Sequence, residues 1–493
     1  MTMFQTVLRL LVLSCVAALA APAGETLPRP VWHGASFEVL ANSRYSTHSG
    51  FSDSLPRQVL ANVLWAMDRV PRLGQYRDFY VATRENVYRF DPTYNTLVPH
   101  LVGDWRYNSG SAFEVGVAVE RHEEAGMVVQ SGLLAGTAFR DQPAQPVASC
   151  PMKWATDHAN AEWNPTRPLK MVNVYGRTEP IPLDTNCCAV SSDSTLPVPH
   201  VSGLDTFEHV LGAMRQDSAF GAIGLSIETI SQLLWAGYGV TPHLTYNGRR
   251  GTTVPTAVAA YHLTGRIYAV RDVGLDRYHN RLPPGTDFTT TDHRLTRVFA
   301  GDLRPQLRQA VPRIPSSAPV YFVVCVSDTA GYGPMQEAGC TGLQLLLQAR
   351  ALGLAGFLTV PLTRVERSAV MTALGLPGNH FPVIIFSCGE LATGIAEDDD
   401  QPGLVRIVRA SPAIRRGRMR LEYWLGQTGD VRVEVFDMLG RPVRLLAEER
   451  QSVGYHSVSW DGTGSKGQRL KRGTYLVVVF SRGAMVKHKV TLG

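Results

Sequence analysis

Blocks of Lys and Arg are missing from this chain of 493 residues: 48 basic residues against 42 acidic leave a thinly spread +6. Nothing resembles a phosphate-tracking patch, which excludes a nucleic-acid partner. Past the first residues no apolar run reaches the roughly 20 residues that a membrane-spanning helix requires. Cysteine is scarce, at seven residues. Vicinal Cys187-Cys188 has neither a Cys-x-x-Cys companion nor a His cluster, so a metal site is rejected. A Gly-x-Ser-x-Gly elbow and a Gly-x-x-x-x-Gly-Lys phosphate loop are also absent. His100, His200 and His243 are scattered beside prolines and glycines, without the partner carboxylate that a triad needs.

What is present is globular. The chain is 44% hydrophobic and 18% charged, with 45 Gly and 31 Pro, which argues against a disordered or fibrous protein. Its length exceeds what one core supports, so two to four domains are expected.

Arg9 precedes the apolar run Leu10–Ala20, and Ala21-Pro-Ala23 follows. A basic start, a short apolar stretch and small residues at Ala18/Ala20 or Ala21/Ala23 read as a cleaved secretory signal over 1–23. A secreted, periplasmic or cell-surface location is therefore expected. Cys15 offers lipidation as an alternative, against which the apolar run continues beyond it. Export permits disulfides. Cys325, Cys340 and Cys388 fall in apolar strand-like or helix-like runs and read as buried free thiols. Cys150, Cys187 and Cys188 lie in a loop-rich stretch where a bridge is expected.

After the acidic turn 397–403 the pattern becomes short alternating strands, at Arg418–Trp424, Asp430–Phe436, Tyr455–Trp460, Gly473–Phe480 and Val486–Leu492. Seven or so strands at this spacing predict a small antiparallel sandwich over 404–493. Val433–Val443, Trp460-Asp-Gly462 and Gly473-Thr-Tyr475 resemble the immunoglobulin-like module shared by flagellar-hook capping proteins (the FlgD type) and type IX secretion sorting domains. That resemblance implies a sorting or anchoring role, with contact to secretion machinery or a cell surface; a plain adhesive or spacer sandwich is the alternative.

The larger body contains a repeat. Leu60-Ala-Asn-Val-Leu-Trp-Ala66 recurs as Ile230-Ser-Gln-Leu-Leu-Trp-Ala236, Val87–Phe90 is echoed by Leu275–Tyr278, and Gly103-Asp-Trp-Arg106 by Gly301-Asp-Leu-Arg304. Ordered matches whose offsets grow along the chain suggest a duplication whose second copy carries insertions or whose first copy has shrunk. The copies would span 31–195 and 205–396. Each opens with an amphipathic helix ending in Leu-Trp-Ala, where Trp65 and Trp235 read as packing residues, followed by a strand at Asp78–Ala82 or Arg266–Val270. The second copy adds a helix at Leu303–Val311, a strand at Val320–Val326, a long helix at Ala338–Leu352 and a strand at Pro382–Phe386. The expected fold class is α+β: two tandem domains and an all-β sandwich.

Leu233–Gly239, Arg249–Ala257, Gly301–Arg304, Glu337–Leu354 and Leu374–Pro377 occur in an order that resembles the nitroreductase fold family, most of all its SagB-type peptide-azoline dehydrogenase branch. The resemblance implies FMN, hydride transfer through flavin N5, and a small-molecule or peptide substrate. In that family two protomers share the flavin pockets, so a tandem duplication implies an intramolecular pseudo-dimer that avoids the entropy cost of association.

The family's Arg-Arg-Ser-x-Arg stretch holds the flavin phosphate. Arg44 and Ser46 match it in the first copy, with His48 in the place of the last Arg; Arg215 alone matches in the second, beside Asp217. Pro255-Thr256-Ala257 replaces Pro-Ser-Ala at the ring edge. Arg249 or Arg250 would neutralise a phosphate or carboxylate, and Gly353 and Gly356 would let the backbone approach the ring. The leading expectation is an exported FMN-dependent oxidoreductase; the rival is a surface binding or structural protein that kept the scaffold without its flavin.

Overall fold

The computed structural model describes residues 24–492 apart from 48, 53–54, 140–144, 181–182, 184–195, 204, 222–223, 245–249, 257–259, 282–290, 393–404, 411–418, 426–428, 438–440, 452–453 and 482–483. The expected signal segment, Cys187, Cys188 and the acidic turn lie outside the described residues.

Two large antiparallel sheets form the body. The first comprises β1 (Glu25–Thr26), β2 (Arg77–Ala82), β3 (Asn86–Asp91), β4 (Thr96–Val102), β5 (Phe113–Val119), β6 (Val147–Met152) and β7 (Met171–Arg177), in the order β1-β4-β3-β2-β5-β7-β6. After a small hairpin of β8 (Val240–Leu244) and β9 (Arg250–Thr252) comes the second. It comprises β10 (Ile267–Arg271), β11 (Gly274–Arg281), β12 (Thr291–Ala300), β13 (Val320–Val326), β14 (Ala355–Thr359) and β15 (Phe381–Gly389), in the order β12-β11-β10-β13-β15-β14. Apart from β1 the two orders are the same, a meander followed by a strand, a helix and a reversed pair.

The helices repeat as well. α1 (Phe37–Ser43) and α2 (Arg57–Asp68) precede the first sheet, α3 (His122–Ala138) follows β5, and α4 (Lys153–Glu162) joins β6 to β7. In the second half α5 (Phe207–Gly212), α6 (Ile227–Tyr238), α8 (Tyr332–Ala351) and α9 (Arg364–Leu374) stand in the same places, with α7 (Arg304–Ala310) added. α1 and α5 are capped alike: Ser36 Oγ accepts from Val39 N and Thr206 Oγ1 from His209 N, each satisfying an orphan helix donor. α8 begins six residues before its expected start, because Pro334 sits in the first turn, where its missing N–H forfeits no helical hydrogen bond.

Every echo found in the sequence lands on equivalent structure. Asn62 on α2 exchanges two hydrogen bonds with the backbone of Val31, and Gln232 on α6 does the same with His200. Phe90 pairs with Phe79 across β3–β2, as Tyr278 pairs with Ile267 across β11–β10. Gly103 and Gly301 both take positive φ, 113° and 118°. The following Arg106 and Arg304 each fold onto the intervening aspartate through N, Nε and Nη2.

The halves are not two separately cored units. One apolar cluster runs from Leu27 through α3 and α8 to Cys388, and only the outer sheet faces have clusters of their own, under α4 and under α7 and α9. Alternation sorts the side chains. Val320, Phe322, Val324 and Val326 face the shared core, while Tyr321, Val323 and Cys325 face outward. Where α3 crosses α8, a Cβ on Gly126 would stand 2.0 Å from Gln336 O, and one on Gly339 would stand 2.0 Å from Glu123 O. The crossing is reciprocal, and it requires glycine at both positions.

The C-terminal residues form β16 (Val405–Ala410), β17 (Met419–Leu425), β18 (Gly429–Asp437), β19 (Pro442–Gln451), β20 (Gly454–Trp460), β21 (Gly473–Ser481) and β22 (Ala484–Leu492). They build a sandwich of a three-stranded sheet, β16-β17-β20, and a four-stranded one, β19-β18-β21-β22. Inward residues such as Leu421, Tyr423, Val433 and Val477 fill its core. Tyr475 donates its hydroxyl to Lys471 O at 2.8 Å and lies 5.5 Å from the Trp460 ring. Trp32 of the body packs against this core.

Candidate functional site

A cavity of about 440 Å³ opens between the halves, lined by Ser46, Cys150 and Trp154 on one side and by Thr256, Glu337 and Cys340 on the other. Its size falls in the range of small-molecule sites. Each wall follows from the fold: β6 runs into α4 at Cys150–Trp154, α3 supplies Gly126 and Val129, and the first turns of α8 supply Gly333 to Cys340. Cys150, expected in a bridge, is a free thiol, as are buried Cys325, Cys340 and Cys388.

Arg44 stands directly behind Ser46. Its Nη1 donates to Ser46 Oγ at 3.0 Å, its Nη2 to Thr252 O at 2.6 Å and its Nε to Thr253 O at 3.3 Å. Thr253 O also accepts from Gln130 on α3 and Gln344 on α8, at 3.1 and 2.9 Å. This one carbonyl thus ties Arg44 to both halves and fixes the loop that leads to Pro255-Thr256. Arg44 is buried and has no carboxylate partner among the described residues; burial draws its pKa down to about 10, with Cys340 and Cys150 in electrostatic reach. Burial draws the neighbouring His243 down to about 4, and the same cation adds to the effect. A buried cation without a counter-ion favours an anion arriving in the cavity beside it.

Glu337 forms the opposite wall. Tyr238 donates its hydroxyl to Oε1, and Thr256 Oγ1 donates to Oε2 at 2.9 Å. Thr256 Oγ1 in turn accepts from Tyr261 N at 2.8 Å. Burial pushes the Glu337 carboxyl up to about 7, the hydroxyls and the amides of Leu263 and His262 pulling the other way.

The remaining residues expected at a site lie elsewhere. Arg215 pairs with Asp217 at 2.9 Å, and Asp217 N donates to Gly356 O at 2.9 Å. A Cβ on Gly356 would meet the Phe386 ring at 2.9 Å, so this glycine makes room for packing. Gly353, at φ 70°, borders a smaller surface pocket with His209 and Lys487. Arg250 is buried in β9 and is not among the residues lining the cavity. His48, Arg249 and Ala257 lie outside the described residues. One expected set of ligands is thus divided: Arg44, Ser46, Pro255 and Thr256 converge, while Arg215, Gly353 and Gly356 form a separate group.

With this geometry in hand the comparisons are direct. A protein named as a nitroreductase from Anabaena variabilis aligns over 71% of this chain and 93% of its own, with 12% identity and a TM-score of 0.51. The body of the chain has the nitroreductase fold. A second protein named as a nitroreductase, from Ralstonia eutropha, aligns over 41% of this chain and 90% of its own at 22% identity, with a TM-score of 0.32. A microcin synthetase complex from E. coli aligns over 35% and 66% at 18% identity, with a TM-score of 0.27. Residues 417–484 match the FlgD Ig-like domain, so the sandwich is of that type. A search of curated proteins finds no match. In this nitroreductase-fold body the cavity sits at the crossing of α3 and α8, the seam between the halves.

Three site residues were missed by sequence reasoning: Cys150, Trp154 and Glu337. For Glu337 a signal exists. Glu124-Ala-Gly126 recurs as Glu337-Ala-Gly339, 213 residues on, a fourth echo that continues the growing offsets and marks the helix crossing itself. Cys150 and Trp154 carry no local pattern; only the β6–α4 connection brings them to the cavity.

Proposed function

We propose that the protein is an FMN-dependent oxidoreductase of the nitroreductase type, exported and attached or sorted through its FlgD-type module, with one flavin site at the cavity between its halves. The observation that supports this most is Arg44, a buried guanidinium without a carboxylate beside a cavity of suitable size. The fit holds in charge and in chemistry. Arg44 lies behind the wall, with three of its five guanidinium N–H groups engaged, and Ser46, which it holds, lines the cavity; the Ser46 hydroxyl would meet a phosphate there with the buried cation at its back. Pro255 and Thr256 would flank the ring, and the apolar wall of Val129, Met152 and Met171 would exclude water from it.

FMN, when bound, supplies two-electron hydride exchange. The chain's own part is to hold the phosphate at Ser46 in front of Arg44, to present the Thr256 hydroxyl and to leave Trp154, exposed at the rim, for an incoming small molecule or peptide. The Arg215 side is not suited to a second flavin, because Asp217 already neutralises its cation.

Equilibrium dialysis of the full-length protein against FMN tests the reading. The expected result is one FMN per chain, bound about 10- to 100-fold more weakly by Arg44→Gln, as for a lost charge-assisted contact, and unchanged by Arg215→Gln. No binding, or two equivalent sites, overturns it; no binding would favour the flavin-less surface protein.

A further inference from the structure

We infer that Glu337 is the proton-exchanging group of the cavity, passing its proton to and from bound substrate through the Thr256 hydroxyl. The inference rests on the oxidoreductase reading, in which each hydride delivered to an acceptor must be matched by one proton.

The geometry is that of a short relay. Glu337 Oε2 lies 2.9 Å from Thr256 Oγ1, and both residues line the cavity. A hydroxyl oxygen offers two lone pairs and one hydrogen. Tyr261 N–H occupies one lone pair of Thr256. When Glu337 carries a proton on Oε2, that proton takes the other, and the hydroxyl hydrogen must turn away from Glu337, toward the cavity. Loss of the hydroxyl hydrogen to substrate is then made good by the carboxyl proton, and the carboxylate left behind regains its proton from water. The acceptor gains a hydride and a proton; no group of the relay is oxidised or reduced.

The surroundings keep this carboxyl free to titrate. On its own helix Cys340 is the nearest acid; burial raises the Cys340 thiol well above the ordinary value. α6 contributes Tyr238, whose hydroxyl donates to Oε1. The loop contributes Thr256, Tyr261 and the amides of His262 and Leu263. Across the cavity stand Cys150, pushed up to about 12 by burial, and Lys153, bound to Asp157, with Arg44 behind them. No cation pairs with Glu337 among the described residues, and its own value near 7 suits exchange at neutral pH. The equivalent Glu124 is ion-paired instead, with Arg77 at 2.7 Å.

The strand register explains the missing cation. Arg77 pairs with Val119, the last residue of β5. The same place opposite Val326, the last residue of β13, falls on Gly265 when the β10–β13 register is continued.

The experiment uses full-length, FMN-loaded protein, reduced with dithionite and reoxidised by menadione across about pH 5.5–8.5. The wild-type rate should fall above about pH 7. Glu337→Gln should bind FMN normally, react about 100-fold more slowly at pH 6, and lose the pH dependence. Thr256→Val should show the same loss while retaining the carboxyl. Infrared titration of the flavin-free protein supplies an independent reading: the protonated-carboxyl band that titrates near pH 7 in the wild type should be weaker in Glu337→Gln, where Glu114, also pushed up to about 7 by burial, remains. An unaltered pH profile in both variants, or a band of equal strength in the wild type and Glu337→Gln, overturns the inference. Failure to bind FMN with the band present overturns the oxidoreductase reading instead and leaves the titrating carboxyl in place.

Discussion

Glu124 and Glu337 each stand two residues before the crossing glycine of equivalent helices and are held in opposite ways. Glu124 receives the Arg77 guanidinium through Nε and Nη2 and the amides of Leu73 and Gly74. Glu337 receives two hydroxyls, and its carboxyl faces a cavity. The arginines differ in the reverse sense: Arg44 is without a carboxylate among the described residues, whereas Arg215 has Asp217. Charge is neutralised locally at Glu124 and Arg215. At Arg44 and Glu337 no oppositely charged partner stands among the described residues. The same scaffold therefore supports a structural ion pair in one place and a carboxyl facing a cavity in the other, and a few residues make the difference.

The largest expected effect breaks the structural side. Arg77→Met leaves Glu124 buried without its cation and should cost about 3–5 kcal/mol in urea unfolding of the full-length chain. Glu337→Gln, which removes no ion pair, should cost far less; equal losses would erase the distinction. Next come the crossing glycines. Gly126→Ala and Gly339→Ala each drive a Cβ into a backbone carbonyl and should each lose about 2–3 kcal/mol by overpacking. A large loss at one and none at the other would break the reciprocity of the crossing.

The smallest effect is in the pH dependence. Glu337 carries a proton in the folded chain up to about pH 7, whereas its ordinary value is 4.5. Between these values folding takes up a proton, so the stability from this group declines as pH rises through the window. Glu337→Gln stays neutral throughout. Its Tm should gain on the wild type by about 2–4 °C between pH 5 and pH 8, as read by calorimetry; a constant difference would remove the titrating carboxyl from the comparison.

Much of the fold could be read from the chain because the signals were local. The Leu-Trp-Ala helices, the Gly-Asp-x-Arg corners and the alternating strands each announce themselves within a few residues, and the structure puts both members of each echo in equivalent places. β16 and β19 of the sandwich were not anticipated. β19 lies mostly exposed along its length, so no apolar alternation marks it. The first half was read less fully than the second, since α4 and its flanking strands are short and Gly- and Pro-punctuated. The site was legible only in part. Arg44, Ser46, Pro255 and Thr256 were found and do converge, but Arg215, Gly353 and Gly356 belong to the other side of the seam. Spacing along a chain cannot say on which side of a crossing a residue falls. Glu337 stood inside a motif already noticed, yet its meaning depends on Gly265, a residue that contributes no side chain.

The continuous core across the two halves has a consequence for how such a molecule changes over time. In a symmetric assembly of identical chains, every substitution is written into both pockets at once, so an acid that improves one site spoils its twin. Here the two halves have their own codons. Arg77 beside Glu124 in the first half and Asp217 beside Arg215 in the second can each change without altering Arg44 or Glu337.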